Sequence, residues 1–197
     1  MKCGQLSKSL TLAACGSSTA AIKAKIIIGN HDDIDKEASK VTDGVCSALE
    51  LVNTSAGAFL YESHRNAFEG NCTLAKGTYQ SSYDHQIVLR IFVKTQEAKD
   101  ELNKLKDSKV FVVTESEDAR NPETRFEIYG FDNGLVLTDL QAATTDSDGV
   151  IYTVTLASDD NAKESGLPVS LYAGSLEATL TAVDALVHHE AEPEAQD

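Results

Sequence analysis

Along most of this chain apolar and polar positions alternate with a period of two, and a helical period of three to four replaces it in only two places. Residues 22–28 form a first strand-like run, stopped by Gly29-Asn30-His31-Asp32-Asp33, whose Gly, Asn and Asp favour a turn. Residues 35–44 are polar and read as loop, residues 45–52 fit either a strand or a short helix, and residues 58–62 read as a short strand. Residues 72–79 and 86–94 are strand-like on either side of a Ser81-Ser82-Tyr83-Asp84 turn. In the second of these, Ile87, Leu89, Ile91 and Val93 line one face, while the other mixes Gln86, Arg90 and Lys94 with Val88 and Phe92.

The first helical stretch follows at once. Thr95 is a suitable N-cap, residues 96–106 are good helix formers, and Ala98, Leu102 and Leu105 fall on one stripe, with Asp100 and Lys104 in acid-before-base order on the solvent side. Between 109 and 158 the pattern is firmest. Residues 109–114, 124–131 and 149–156 are rich in β-branched and aromatic residues and separated by Asp, Asn, Gly and Pro, and they predict an antiparallel meander. Residues 159–166 read as an acidic loop and 167–172 as a short extended piece. In 175–187, Leu176, Leu180, Val183 and Val187 have helical spacing although the Thr residues also permit a strand, and a short C-terminal helix is favoured.

The expected class is therefore mainly β (α+β), an antiparallel β-sandwich or barrel with one flanking amphipathic helix. A length of 197 residues suits one core that buries roughly 70% of the unfolded surface. The expected organisation is an extended, small-residue N-terminal arm over 1–20, a single β-rich domain over 21–187 with a loop-rich segment at 30–70, and an acidic disordered tail over 188–197.

Charge changes this picture more than composition does. The net charge is -14, and it is unevenly spread: residues 1–110 hold 14 Lys+Arg against 13 Asp+Glu, residues 111–197 hold 3 against 18. Such a surface repels a phosphate backbone, which argues against wrapping or gripping nucleic acid but suits a surface past which it must slide. Cys3, Cys15, Cys46 and Cys72 contain no C-x-x-C pair and no His at a zinc-ligand interval, so they are read as free thiols, mostly buried. Leu12-Ala13-Ala14-Cys15-Gly16 has the form of a lipobox. The apolar run before it covers only residues 9–14, short of the about 7 to 15 apolar residues of a secretory core, so retention of Cys15 within the chain is expected. No run of about 18 apolar residues predicts a membrane helix.

Candidate chemistry is sparse. His31-Asp32-Asp33-Ile34-Asp35 is oxygen-rich but lacks the Gly and distal Glu of a calcium loop, and a turn explains it better. Asp146-Ser147-Asp148-Gly149 is a hairpin signal. His64, His85 and the His188-His189 pair lie in no nucleophile context, and there is neither a P-loop nor a dinucleotide fingerprint. No catalytic, cofactor or metal residues are assigned, and a structural or binding protein is expected rather than an enzyme.

The order of strand, turn, strand (86–94), helix (96–106) and strand (110–114), followed by Phe126-Glu127-Ile128-Tyr129-Gly130-Phe131-Asp132-Asn133-Gly134-Leu135 and the strand at 150–156, resembles tail-tube proteins of long-tailed bacteriophages. The Phe-Glu-Ile-Tyr-Gly stretch, the Asp-rich turn and Tyr152-Thr153-Val154-Thr155-Leu156 are similar to phage virion proteins from hosts related to Bacteroides, and the resemblance covers residues 70–187. It implies subunits that assemble in the host cytoplasm into sixfold rings, stacked into a hollow tube in the virion tail through which DNA passes as non-adhering cargo. It also implies partners that are further copies of the chain and other tail proteins, with no membrane. Residues 1–20 and 30–70 then supply ring-to-ring contacts, and Gln86, Arg90, Glu127, Thr153 and Thr155 are candidates for the lumen or polar face. A head or tail decoration protein and a secreted lipoprotein or adhesin domain are the alternatives.

Deletion of residues 1–20 is expected to leave a folded monomer that no longer stacks. Circular dichroism and electron microscopy of the truncated chain test this, and intact tubes would contradict it.

Overall fold

The computed structural model describes residues 21–52, 57–118, 120–144, 149 and 152–187. The expected arm over 1–20, the tail over 188–197, Cys3, Cys15, His188, His189 and Asp146-Ser147-Asp148 lie outside the described residues. The strands are β1 (Ile22–Asn30), β2 (Val41–Thr42), β3 (Val45–Cys46), β4 (Phe59–Glu62), β5 (Phe68–Lys76), β6 (Ser81–Ile91), β7 (Lys109–Ser116), β8 (Phe126–Tyr129), β9 (Leu135–Ala142), β10 (Tyr152–Ser158) and β11 (Val169–Leu171). The helices are α1 (Gln96–Leu105) and α2 (Leu176–Leu186). The chain is thus mainly β, with one large mixed sheet ordered β2-β3-β11-β8-β7-β9-β10-β6-β5 and with β1 and β4 attached beside β7. All strand pairs are antiparallel except β3 with β11.

β7 is the centre, because its Val-Phe-Val-Val run is apolar on both faces. Phe111 and Val112 are fully buried, and neighbours along the strand point to opposite sides. Val110 and Val112 join Ile26, Ile28, Ile87, Leu89, Leu135, Val154 and Leu156 in a first core, which the sheet from β1 round to β5 curls about and which Leu102 and Leu105 of α1 cap. Phe111 and Val113 join Ile27, Phe126, Ile128, Leu171 and Leu186 of α2 in a second.

One edge of β7 carries β1 along its length. The other edge carries two strands in series: Tyr129 of β8 lies opposite Val112, and Leu135 of β9 opposite Val110. Residues 130–134 leave the sheet between them. From that excursion the sheet divides, with β8 continuing into β11, β3 and β2, and β9 into β10, β6 and β5.

Several expectations change. The runs of the meander are β7, β8 and β10, but β10 pairs with β9 and β6, so the three are not successive neighbours. The strand between them, β9, begins in the first core at Leu135 and runs out to exposed residues, so its Thr and Asp resembled a turn. Ser81 to Asp84 belong to β6. The reversal falls at 77–80, where the Gly77 N–H donates to the Gln80 carbonyl at 2.9 Å. Of residues 45–52, only Val45–Cys46 forms a strand. Within the loop-rich segment, Ile34, Cys46, Leu49 and Leu51 are buried in the second core.

The first helix starts at the expected cap, with Thr95 Oγ1 accepting the Ala98 N–H, and the second is capped by Ser175, whose Oγ accepts the Ala178 N–H, each at 3.1 Å. Lys104 pairs with Glu101 rather than with Asp100, which instead accepts from Gln96. α2 is the second helix, and its buried positions are Thr179 and Leu186, while Leu180 of the expected stripe is 43% exposed.

The second core leaves no slack at Gly29, where a Cβ would lie 2.4 Å from the Phe111 ring. Gly29→Ala is expected to lower stability by about 1–3 kcal/mol through overpacking. Phe111→Leu in the same chain should recover part of that loss, and denaturant melts of the single and double variants measure both.

Candidate functional site

The most highly organised polar site surrounds the 130–134 excursion. Gly130 and Gly134 both have positive φ, 71° and 75°, which lets the chain leave and rejoin the edge of β7 within five residues. A loop that close to the cores needs partners for its backbone groups, and side chains from distant parts of the sequence supply them. Glu164, 2% exposed, accepts the Asp132 N–H on Oε2 at 2.8 Å and the Asn133 N–H on Oε1 at 2.9 Å. His85 Nδ1 accepts the Gly130 N–H at 3.3 Å. His31 Nε2 lies 3.2 Å from the carbonyl oxygens of both Phe131 and Asp132, and Lys36 donates to the latter at 2.5 Å. In return Asp132 accepts from the backbone N–H and hydroxyl of Ser165, and Asn133 Nδ2 donates to the Lys163 carbonyl at 2.8 Å.

Lys163 extends this cluster outward, with Nζ 3.0 Å from Asp84 Oδ2 and 3.2 Å from Asp160 Oδ1. The other Asp84 oxygen is buried without a hydrogen-bond partner among the described residues. Burial holds the His85 imidazole below its usual pKa, against the pull of Glu164, the Gly166 carbonyl, Asp132 and Asp84. Cys72, opposite His85 on β5, is raised by burial and then by the negative charges of Asp84, Glu127 and Glu164. That disfavours the thiolate and with it nucleophilic or redox chemistry. Cys46 and Cys72 are both free thiols, and burial raises Cys46 as well.

Among the described residues no three His, Cys, Asp or Glu side chains converge as metal ligands. In the 31–35 turn, Asp33 accepts from Asn30, and Asp35 Oδ1 accepts the backbone N–H groups of Glu37 and Ala38. The Asp35 carboxylate serves the backbone, as turn chemistry requires, and that of Asp33 the Asn30 side chain.

Four of the five residues assigned to a polar face share one. Gln86 and Arg90 of β6 point away from the first core, with Thr153 of β10 directly opposite Arg90 and Thr155 opposite Val88. The face continues to Asp139 and Gln141 on β9, opposite Thr155 and Thr153, and to Glu69 and Asn71 on β5. Arg90 Nη1 is held 2.9 Å from Glu69 Oε1. Glu127 lies apart from this face: on β8, opposite Thr114, it accepts from the Tyr129 hydroxyl at 3.3 Å. Burial raises its carboxyl pKa, with the Tyr129 hydrogen bond opposing. Nearby, Glu115 Oε1 takes both Lys23 and Arg125 at 2.6 Å.

Alternation along β6 and β10, joined by their pairing, sets these four residues on one side of the sheet. Sequence reading missed the cluster around 130–134, whose members come from four separate segments. Paired glycines four residues apart inside a strand-like run were the available signal.

Glu164→Ala is expected to cost roughly 3 kcal/mol, since it leaves the Asp132 and Asn133 N–H groups without their side-chain acceptor. Glu164→Gln, which keeps one acceptor oxygen, should cost less. Thermal melts of the two variants at neutral pH make the comparison.

No family model matches the chain, and no curated protein or solved structure is similar to it.

Proposed function

We propose that the chain is a structural virion protein, a tail-tube subunit that polymerises into stacked hexameric rings around a channel for DNA. The observation that carries this reading is the polar face across β5, β6, β10 and β9. It spans four adjacent strands, and its arginine is neutralised by Glu69 while Asp139 adds negative charge. A wall of that kind offers a passing phosphate backbone hydrogen-bonding groups but no cluster of free cations, so contact is brief and sliding is favoured. The acidic surplus of residues 111–197 acts in the same direction.

Sheet edges supply the assembly side of the proposal. Among the described residues β5 pairs only with β6, although it runs for nine residues, and Leu74 on it is 52% exposed. An edge of that length invites pairing by another chain, and a closed ring satisfies it where an open array would aggregate. The partners are then copies of the same chain and other tail proteins, within the virion tail. DNA is cargo that the wall does not bind.

Negative-stain electron microscopy of the purified full-length chain should show rings or hollow tubes. Single compact particles at every concentration tried would overturn the proposal in favour of a decoration or adhesin role.

A further inference from the structure

Two imidazoles hold the 130–134 excursion, and their hydrogen bonds give them opposite roles. His31 Nε2 faces two carbonyl oxygens, so it is the nitrogen that carries the proton and donates. His85 Nε2 lies 3.0 Å from the Gly166 carbonyl and donates to it, whereas His85 Nδ1 faces the Gly130 N–H and must be the bare, accepting nitrogen. A proton added to His31 goes to Nδ1, which lies 3.7 Å from an Asp32 carboxylate oxygen, and leaves the donating Nε2 in place. A proton added to His85 must go to the nitrogen that Gly130 is using. Two N–H groups would then point at each other 3.3 Å apart.

We propose that His85 is a proton-operated latch: neutral, it fastens the 130–134 excursion to the connection between β10 and β11 through Gly130 and Gly166, and protonated it releases the excursion. This does not depend on the tube reading. The charged and titratable groups around the ring come from every element packed on it: Asp84 on its own strand, Cys72 opposite on β5, and Tyr129 on β8 with ring centroids 5.5 Å apart. Asp132 lies in the excursion, and Lys163 and Glu164 lie in the connection. The imidazolium would also draw on Glu164, the acceptor for the Asp132 and Asn133 N–H groups, so release of Gly130 weakens the next two anchors as well. β6 itself stays fixed at this point, because the His85 N–H donates to Ser158 Oγ at 3.0 Å and this bond does not involve the ring.

The direction with pH follows from the lowered pKa of the folded state. An unfolded chain takes up the His85 proton in the usual imidazole range and the folded chain only below it. Between the two values the unfolded or released state binds more protons, so the latch weakens as pH falls through this window and is fully closed above it.

Amide hydrogen exchange of the full-length chain, followed by NMR from pH 7.5 to pH 5 and corrected for intrinsic rates, tests the latch. Protection of Gly130, Asp132 and Asn133 should fall by up to roughly tenfold per pH unit as pH drops through the window between the ordinary imidazole range and the lowered titration of the folded His85 ring, while Val112 and Val113 keep theirs. His85→Asn places a permanent acceptor near Nδ1, and its Gly130 protection should not vary across this range. Uniform protection in the natural chain, or the same fall in His85→Asn, would overturn the proposal. Should that variant not fold, the ring Cε1–H shift of the natural chain decides. Loss of protection that follows the His85 ring supports the latch, and loss that follows carboxylate titration refutes it.

Discussion

Two strands share one edge of β7, and the rest of the architecture follows from how the chain passes from one to the other. A single continuous strand there would have produced one sheet with one direction of growth. Because residues 130–134 step out between Tyr129 and Leu135, β8 and β9 lie in series on the same edge yet lead to different neighbours. The two wings then bury opposite faces of β7, and each needs its own cover: α1 over the first core, α2 and the 34–51 segment over the second. An apolar strand buried on both faces is common where helices flank a sheet. In this chain the sheet's own curl provides much of the first enclosure.

Stepping out of the sheet deprives five residues of ladder hydrogen bonds near the protein interior, and replacement has to come from side chains. A buried carboxyl group such as that of Glu164 is an expensive solution if left without partners. Two backbone N–H groups at 2.8 and 2.9 Å are what make it tolerable. His85 Nδ1 then accepts the Gly130 N–H, and His31 Nε2 meets the carbonyl oxygens of Phe131 and Asp132. Glu164, His85 and His31 each spend their polar atoms on backbone groups of the excursion, while the Ser165 hydroxyl meets the Asp132 carboxylate.

Local signals were readable in the sequence wherever a residue's neighbours in the chain decide its environment. The Lys109-Val110-Phe111-Val112-Val113 run announced a strand, Thr95 announced a helix start, and alternation in β6 placed Gln86 and Arg90 on one face. Long-range pairing was not readable. Nothing about His85 in isolation indicates Gly130, and Glu164 reads as one more acid in an acidic loop until the fold sets it against the Asp132 N–H. Leu135–Ala142 failed for an intermediate reason: only its first residue is fully buried, so the apolar signal fades along the strand. Glu127 shows the limit of alternation, which assigns a side within one strand but not which wing of a divided sheet that strand joins.

The pairing of β1 with β7 sets Ile28 against Val112 and Ile22 against Ser116, partners more than eighty residues apart. During synthesis Ile26, Ile27 and Ile28 therefore emerge long before the strand that will cover them, as an exposed β-branched segment of the type that aggregates most readily. Lys23 and Lys25 sit just ahead of that run and Asn30 just after it. Besides their ion pairs in the finished fold, these polar flanks guard a nascent strand through the interval in which it has no partner.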